Sequence, residues 1–253
     1  MSSRPRFPSA PAWYRPLLQL EDQVLLRLRD RLPTQAHLHG DDEATADYAE
    51  NERLGIRSAE RIVPGANASP YMVQHVGRYL WAMDAARGKH VIDLGCGDGY
   101  GTFLLSWVAA SAVGIDLSAS AITAAREQYS GHHAGPQYRE GDLTKADQLP
   151  GSADLATCFE VLEHVPQAQL VLETAAQRVP RLLMSVPNPL AGGSHINPHH
   201  VVDWPLSKWK RVARSAGAES ITAHHQSLRG YRVQRRAAPW HAFWLLDIRF
   251  SPR

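Results

Sequence analysis

Residues 91–99 read VIDLGCGDG, a short apolar run that breaks into glycines at every second position. Such a run reads as a buried strand, and Gly95, Gly97 and Gly99 let the backbone turn sharply and approach a ligand closely before a helix begins. The loop departs from the dinucleotide fingerprint G-x-G-x-x-G, because its third glycine comes one position early. Asp93 and Asp98 add negative charge beside it. A pyrophosphate is repelled there and a cationic ligand is attracted.

The pattern around this loop extends it into a fold. A helix is predicted over 70–86, a strand over His90–Leu94, a helix over Gly101–Ala109 and a second strand over Ala112–Ile115. Ser118–Tyr129 reads as a helix opened by an N-cap serine. Further strands are expected at Gln137–Glu140, Leu155–Phe159, Arg181–Val186, Ser220–His225 and Phe243–Arg249, with helices near Gln167–Arg178 and Leu206–Ala216. Alternation of this kind predicts an α/β, doubly wound, Rossmann-like sheet with helices on both faces.

The domain is expected over 67–253, behind an N-terminal tail and helical extension over 1–66. The tail, residues 1–15, is rich in Pro, Ser and Arg. Residues 16–32 space leucines at helical intervals, which suits packing on the domain, an acceptor pocket wall or a homodimer contact. A chain of 253 residues, 44% hydrophobic and 21% charged, can bury a core without disulfides, and two cysteines suit a reducing compartment. A net charge of +2 is too mild for a dedicated nucleic-acid binder. The longest apolar stretch, Phe103–Ile115, is short of the roughly 20 residues that span a bilayer. These features predict a cytoplasmic protein with no membrane span.

Two aspartates follow the loop in strand-end positions. Asp116 closes the second strand, where a carboxylate can accept both hydroxyls of a ribose. Asp142 follows the third, where it can accept the amino hydrogens of an adenine. Each alone reads sooner as a turn or cap residue than as a ligand contact. Their order behind the glycines is far harder to reach by chance. With VIDLGCGDGYG, VGIDLS, EGDL, ADLATCFEVLEHV and LLMSVPNP, the chain resembles the class I S-adenosylmethionine-dependent methyltransferases over about residues 70–225. That resemblance implies a seven-stranded sheet with an antiparallel last strand and S-adenosyl-L-methionine as cofactor, a cation that carries no phosphate. It places Asp93, Gly95, Gly97 and Gly99 along the methionine moiety, Asp116 and Leu117 at the ribose, and Asp142 and Leu143 at the adenine, with Glu160 also on the cofactor.

FEVLEHV, residues 159–165, sets Glu160, Glu163 and His164 at i, i+3 and i+4, one face if the segment turns helically. SHINPHHVVDW adds His195, His199 and His200. Two carboxylates with imidazoles can hold a divalent metal, and a histidine among these three can serve as catalytic base. The alternative is a solvated or capping pair of glutamates with His164 packed beneath the loop. The E-x-x-E-H cluster resembles that of the ubiquinone-pathway O-methyltransferases. With SVPNP and a histidine four residues before Trp204, it also resembles the small-RNA 3′-terminal 2′-O-methyltransferases. This implies Mg²⁺ or Mn²⁺ on Glu160, Glu163, His164 and His200, with His199 the other candidate for the last place.

ERIVPG at 60–65 and HVGRYLWA at 75–82 resemble the entry segment of bacterial methyltransferases acting on sugars and other glycan-type acceptors. There Arg78 and Tyr79 would meet the cofactor's carboxylate end, while His75 and Tyr79 serve equally well as helix packing. The combined expectation is an O-methyltransferase for a small hydroxylated acceptor, a sugar or glycan end. Alternatives are an RNA 3′-terminal ribose methyltransferase, a natural-product or quinone-type enzyme, and a non-catalytic cofactor-binding protein. The RNA alternative is weakened because Arg229, Tyr231, Arg232, Arg235 and Arg236 form the nearest basic run with an aromatic, and such runs are usually solvated faces.

Overall fold

The computed structural model describes residues 70–131, 135–189, 200–226, 232–235 and 242–251. The expected amphipathic helix 16–32, ERIVPG, His195, His199, Arg229, Tyr231 and Arg236 therefore lie outside the described residues. Five helices and seven strands are described: α1 Pro70–Ala86, β1 His90–Leu94, α2 Tyr100–Ser106, β2 Ser111–Asp116, α3 Ala119–Tyr129, β3 Gln137–Glu140, β4 Leu155–Phe159, α4 Ala168–Arg178, β5 Arg181–Pro187, α5 Leu206–Ser215, β6 Ala218–Gln226 and β7 Phe243–Phe250. Helix α1 and strands β1, β3 and β4 begin and end where the residue pattern puts them. Ser118 caps α3 as expected, its hydroxyl accepting from the Ala121 amide at 3.3 Å.

The strands form one sheet in the order β3-β2-β1-β4-β5-β7-β6. All neighbouring pairs from β3 to β5 are parallel, whereas β7 runs antiparallel to both β5 and β6. Buried parallel strands need near-continuous apolar runs, and β4 and β5 supply them in LATCF and LLMSVP. The register of β7 on β5 carries an ion pair: Arg181 donates two hydrogen bonds, each 2.9 Å, to the Asp247 carboxylate.

Both sheet faces are covered. On one side Val76 and Tyr79 of α1, Phe103 and Leu104 of α2 and Ile122 and Tyr129 of α3 pack on Val91 and Leu155. On the other, Leu172 of α4 and Trp209 and Val212 of α5 pack with Met184, Leu246 and Ile248. The apolar stretch Phe103–Ile115 is split between α2 and β2, and among the described residues no helix is long and apolar enough to cross a membrane.

The strand order reverses direction between β1 and β4. In an open α/β sheet a crevice forms at that point, outside the carboxyl ends of the strands. The loops that carry the glycines, Asp116, Asp142 and Glu160 all leave the sheet at this edge.

Candidate functional site

A cleft of about 1000 Å³ opens at this switch point. Its walls are the loops after β1, β2, β3 and β4, with His75 and Tyr79 of α1. Asp98, Asp116, Asp142 and Glu160 line it, and no lysine or arginine does so among the described residues. The field inside is therefore negative, which favours a cationic ligand and opposes a phosphate-bearing one.

The glycine loop is fixed by backbone bonds. The amides of Gly95 and Cys96 donate to the Ile115 carbonyl at 2.8 and 3.0 Å. Gly95 has φ +74°, and a Cβ built on it would stand 2.4 Å from the Val161 side chain. Only glycine meets both conditions without strain. Gly101 has a different reason: the Tyr79 ring lies 1.9 Å from where its Cβ would be, so α1 sits directly on α2.

Asp116 is held from both sides. Its two oxygens accept the Gly97 and Ser118 amides, each at 2.9 Å. A carboxylate has about four lone-pair sites, so two remain for a pair of hydroxyls. Leu117 beside it is 70% exposed and lines the cleft, an apolar surface left open for a flat ligand. Leu143 and Asp142 line the cleft from the β3 side. Asp142 also organises its own turn: Oδ1 accepts the Thr144 amide at 2.9 Å and hydroxyl at 2.7 Å. Those bonds, with Lys145 nearby, hold its carboxyl below the usual range. The turn role and the cleft-lining role coexist in one residue.

Two expected cofactor contacts are displaced from the cleft surface. Asp93 is 1% exposed and does not line it. Its carboxylate accepts Thr157 Oγ1 at 2.6 Å, Thr102 Oγ1 at 2.8 Å and the Tyr79 hydroxyl at 3.2 Å. Burial pushes its pKa up to about 6, although the three hydroxyls oppose that shift. A strand-end side chain pointing down into the helix layer, rather than up, accounts for the difference. Asp93 supports the loop from below and ties β1 to α1, α2 and β4. Arg78 is likewise fully buried and outside the cleft lining. Its Nε donates to Gln226 Oε1 at 2.9 Å, and its guanidinium lies 4.3 Å over the Phe243 ring.

The segment after β4 does not turn helically from Glu160. Glu160 has φ +55°, the sole non-glycine residue in that region among the described residues. A short 3₁₀ turn begins only at Leu162 and ends at His164. This corrects the one-face expectation: the left-handed residue breaks the path and swings Glu160 away from Glu163 and His164. The Glu160 carboxylate accepts Ser185 Oγ at 2.7 Å and lies 3.5 Å from Arg78 Nη1. Its own amide donates to the Ser185 hydroxyl and carbonyl. A left-handed non-glycine residue costs roughly 1–3 kcal/mol and persists only where its surroundings over-determine it. Here Ser185 and Arg78 do so.

Glu163, His164 and His200 do come together. One ligand atom from each lies within 4.8 Å of the others. The His164 and His200 rings meet edge to face at 5.0 Å, and His164 lines the cleft. The backbone sets His200: the amides of Val201 and Val202 both donate to the Glu163 carbonyl, at 2.8 and 3.0 Å. Thus one glutamate offers its side chain to the cluster while its carbonyl fastens the segment that carries the last ligand. One carboxylate and two imidazoles suit a divalent first-row metal and leave coordination positions open. Glu160 stands outside this group. Sequence reasoning missed Ser185, Gln226, Thr102 and Thr157, polar residues whose partners are 9 to 148 positions away.

Comparison with known proteins places this geometry. Residues 91–184 match the family model described as a methyltransferase domain. A probable S-adenosylmethionine-dependent methyltransferase of Mycolicibacterium smegmatis is 27% identical over 216 residues, covering 76% of this chain and 82% of that protein. The ubiquinone biosynthesis O-methyltransferase of Dechloromonas aromatica is 31% identical over 137 residues, but the match spans only 53% of this chain and 59% of that enzyme. Among solved structures, the methyltransferase domain of bacterial CtHen1 superposes with a TM-score of 0.58 at 20% identity, covering 72% of this chain and 99% of that one.

Proposed function

Because the chain is a class I S-adenosylmethionine-dependent methyltransferase, we propose that it methylates a hydroxyl of a small acceptor, a sugar or glycan end bearing vicinal oxygens, with help from a divalent cation. The observation that carries this reading is the convergence of Glu163, His164 and His200, of which His164 lines the cleft. Asp116 receives the ribose hydroxyls, Leu117 and Leu143 flank the adenine, and the negative walls favour the sulfonium and ammonium of the cofactor.

Methyl transfer is a direct displacement, so the protein's work is mostly alignment of two reactants. A cation on the cluster, for which two imidazoles favour Mn²⁺ over Mg²⁺, would lower the pKa of an acceptor hydroxyl and orient it. Glu163, 1% exposed, would supply the negative charge to hold it, together with His164 and His200 as nitrogen ligands. The Ser185–Glu160–Arg78 contacts keep the neighbouring wall of the cleft rigid while this happens.

A second reading uses the same ligands on the terminal ribose diol of an RNA. The resemblance of E-x-x-E-H and SVPNP to the 3′-terminal enzymes favours it. Against it, the described cleft walls carry Asp98, Asp116, Asp142 and Glu160, which oppose a polyanion. The test is a methylation assay over sugar, catechol and short-RNA acceptors, with and without EDTA. Mg²⁺- or Mn²⁺-dependent labelling of a sugar diol is the expected result. Labelling of RNA that periodate treatment of its 3′ end abolishes moves the conclusion to the second reading. Full activity in EDTA rejects the cation.

A further inference from the structure

An acceptor hydroxyl must lose its proton during transfer, and the cluster histidines are taken up by the cation reading. Another histidine faces the same space. His75 lies on α1, one turn before Tyr79, and both line the cleft. Its ring makes no hydrogen bond with any other residue among those described. The ring lines the open cleft, so its nitrogens are available to a molecule bound there. Helix α1 packs against α2 and β4, and His75 lines the same cleft as Phe159, Glu160 and His164 of the segment after β4.

We propose that His75 is the group that takes the acceptor's proton. The inference rests on the reading above that the methylated atom is a hydroxyl oxygen. As the oxygen–carbon bond forms and the sulfur–carbon bond breaks, the hydroxyl proton passes to the unprotonated ring nitrogen of His75. The cofactor leaves as a neutral thioether, and the positive charge of its sulfonium ends on the imidazolium, which then releases a proton to solvent. Nothing else is consumed.

The surroundings suit that task. Burial, and then the Arg78 guanidinium one helical turn away, hold the His75 pKa well below the usual value, so the ring is neutral and able to accept at pH 7. The other ionisable groups that face this part of the cleft are Tyr79 on the same helix, Tyr100 of α2, Asp98 of the glycine loop, and Glu160 and His164 after β4. Burial pushes both tyrosine hydroxyls further up, so they remain protonated and cannot serve as bases. Glu160 is already engaged by Ser185 and Arg78.

The test uses the full chain in complex with S-adenosylhomocysteine and Mg²⁺, with histidine ring signals followed by NMR and His75→Gln identifying the relevant one. His75 should stay neutral to a lower pH than the exposed histidines, and its signal should move when catechol is added as a vicinal-diol probe. If His164 and His200 respond to catechol but His75 does not, or if His75 titrates with the exposed histidines, the assignment is overturned and the proposed function stands. If none of the three responds, the proposed function fails and this inference with it. On whichever acceptor the wild-type enzyme methylates, His75→Gln should lower kcat by roughly 10²–10⁴-fold. Its KM for the cofactor should be unchanged and the acid limb of the pH profile lost. His75→Asn with the same melting temperature as wild type separates this from a folding defect. An unchanged pH profile in either variant refutes the proposal.

Discussion

The two ends of the cleft are built by different means. At the β1–β2–β3 end, the ligand-facing groups are placed by loop amides: those of Gly95 and Cys96 donate to the Ile115 carbonyl, those of Gly97 and Ser118 to the Asp116 carboxylate, and that of Thr144 to the Asp142 carboxylate. At the β4–β5 end, side-chain contacts and one left-handed residue place Glu160, and backbone bonds place His200. Glu160 depends on Ser185 and Arg78, and His200 depends on the Glu163 carbonyl. The first construction rests mainly on the loop amides, with Val161 packed close against Gly95. The second can be altered one contact at a time. A cofactor common to many enzymes is well served by the former, and an acceptor peculiar to one enzyme by the latter.

This contrast can be broken most directly at Gly95. Gly95→Ala forces a Cβ into the left-handed region, at about 1–2 kcal/mol, and against Val161, at about 1–3 kcal/mol more. Thermal melting should show clear destabilisation, and calorimetry should show cofactor affinity falling by more than about tenfold. Normal cofactor binding by the Gly95→Ala variant would mean that the left-handed turn and the close Val161 contact do not shape the cofactor surface.

Next in size is Asp116→Ala. It leaves two loop amides without acceptors, at about 1–3 kcal/mol, and should weaken cofactor binding roughly 10–100-fold by titration calorimetry. Cation binding should be untouched. Glu163→Gln is the mirror experiment: divalent-metal affinity should fall by at least about tenfold while the cofactor dissociation constant holds. Loss of both affinities in either variant would contradict the division.

The smallest effect concerns Asp93, which lies beneath both ends. Its folded pKa of about 6 exceeds the ordinary value of 3.8, so the folded chain binds this proton more tightly than the unfolded chain between those values. The contribution of Asp93 is therefore fully present below about pH 4 and is lost as pH rises through about 6. The stability difference between wild type and Asp93→Asn, from urea unfolding at several pH values, should decline over that window and be level above it. A difference that rises with pH would reverse the assignment.

Much of this could be read from residue order. The apolar runs HVIDL and LATCF, the serine before α3 and the glycines after β1 act over a few positions, where local chemistry decides the outcome. Asp116 and Asp142 fall at strand ends because the strands could be placed. The exceptions share one cause. Asp93 looked like a cleft residue until its partners Thr102 and Thr157 were in view. Arg78 looked cofactor-facing, yet Gln226, 148 residues away, turns it inward. Glu160 sat in an apparently helical spacing, and only the arrival of Ser185 from β5 makes its left-handed backbone tenable. Side-chain direction is settled by tertiary partners, and no spacing rule contains them.

The sheet order also bears on how the molecule is made. Strand β7 follows β6 in the chain but lies between β5 and β6. During synthesis β6 therefore leaves the ribosome with no place to dock, and must wait for β7 before it joins the sheet. Gln226, which holds Arg78, is on β6, and Phe243, on which Arg78 rests, is on β7. The β1–β2–β3 end of the cleft can thus be assembled while the nascent chain is still growing, whereas the setting of Arg78 beside Glu160 is completed only after β7 has been threaded into its gap.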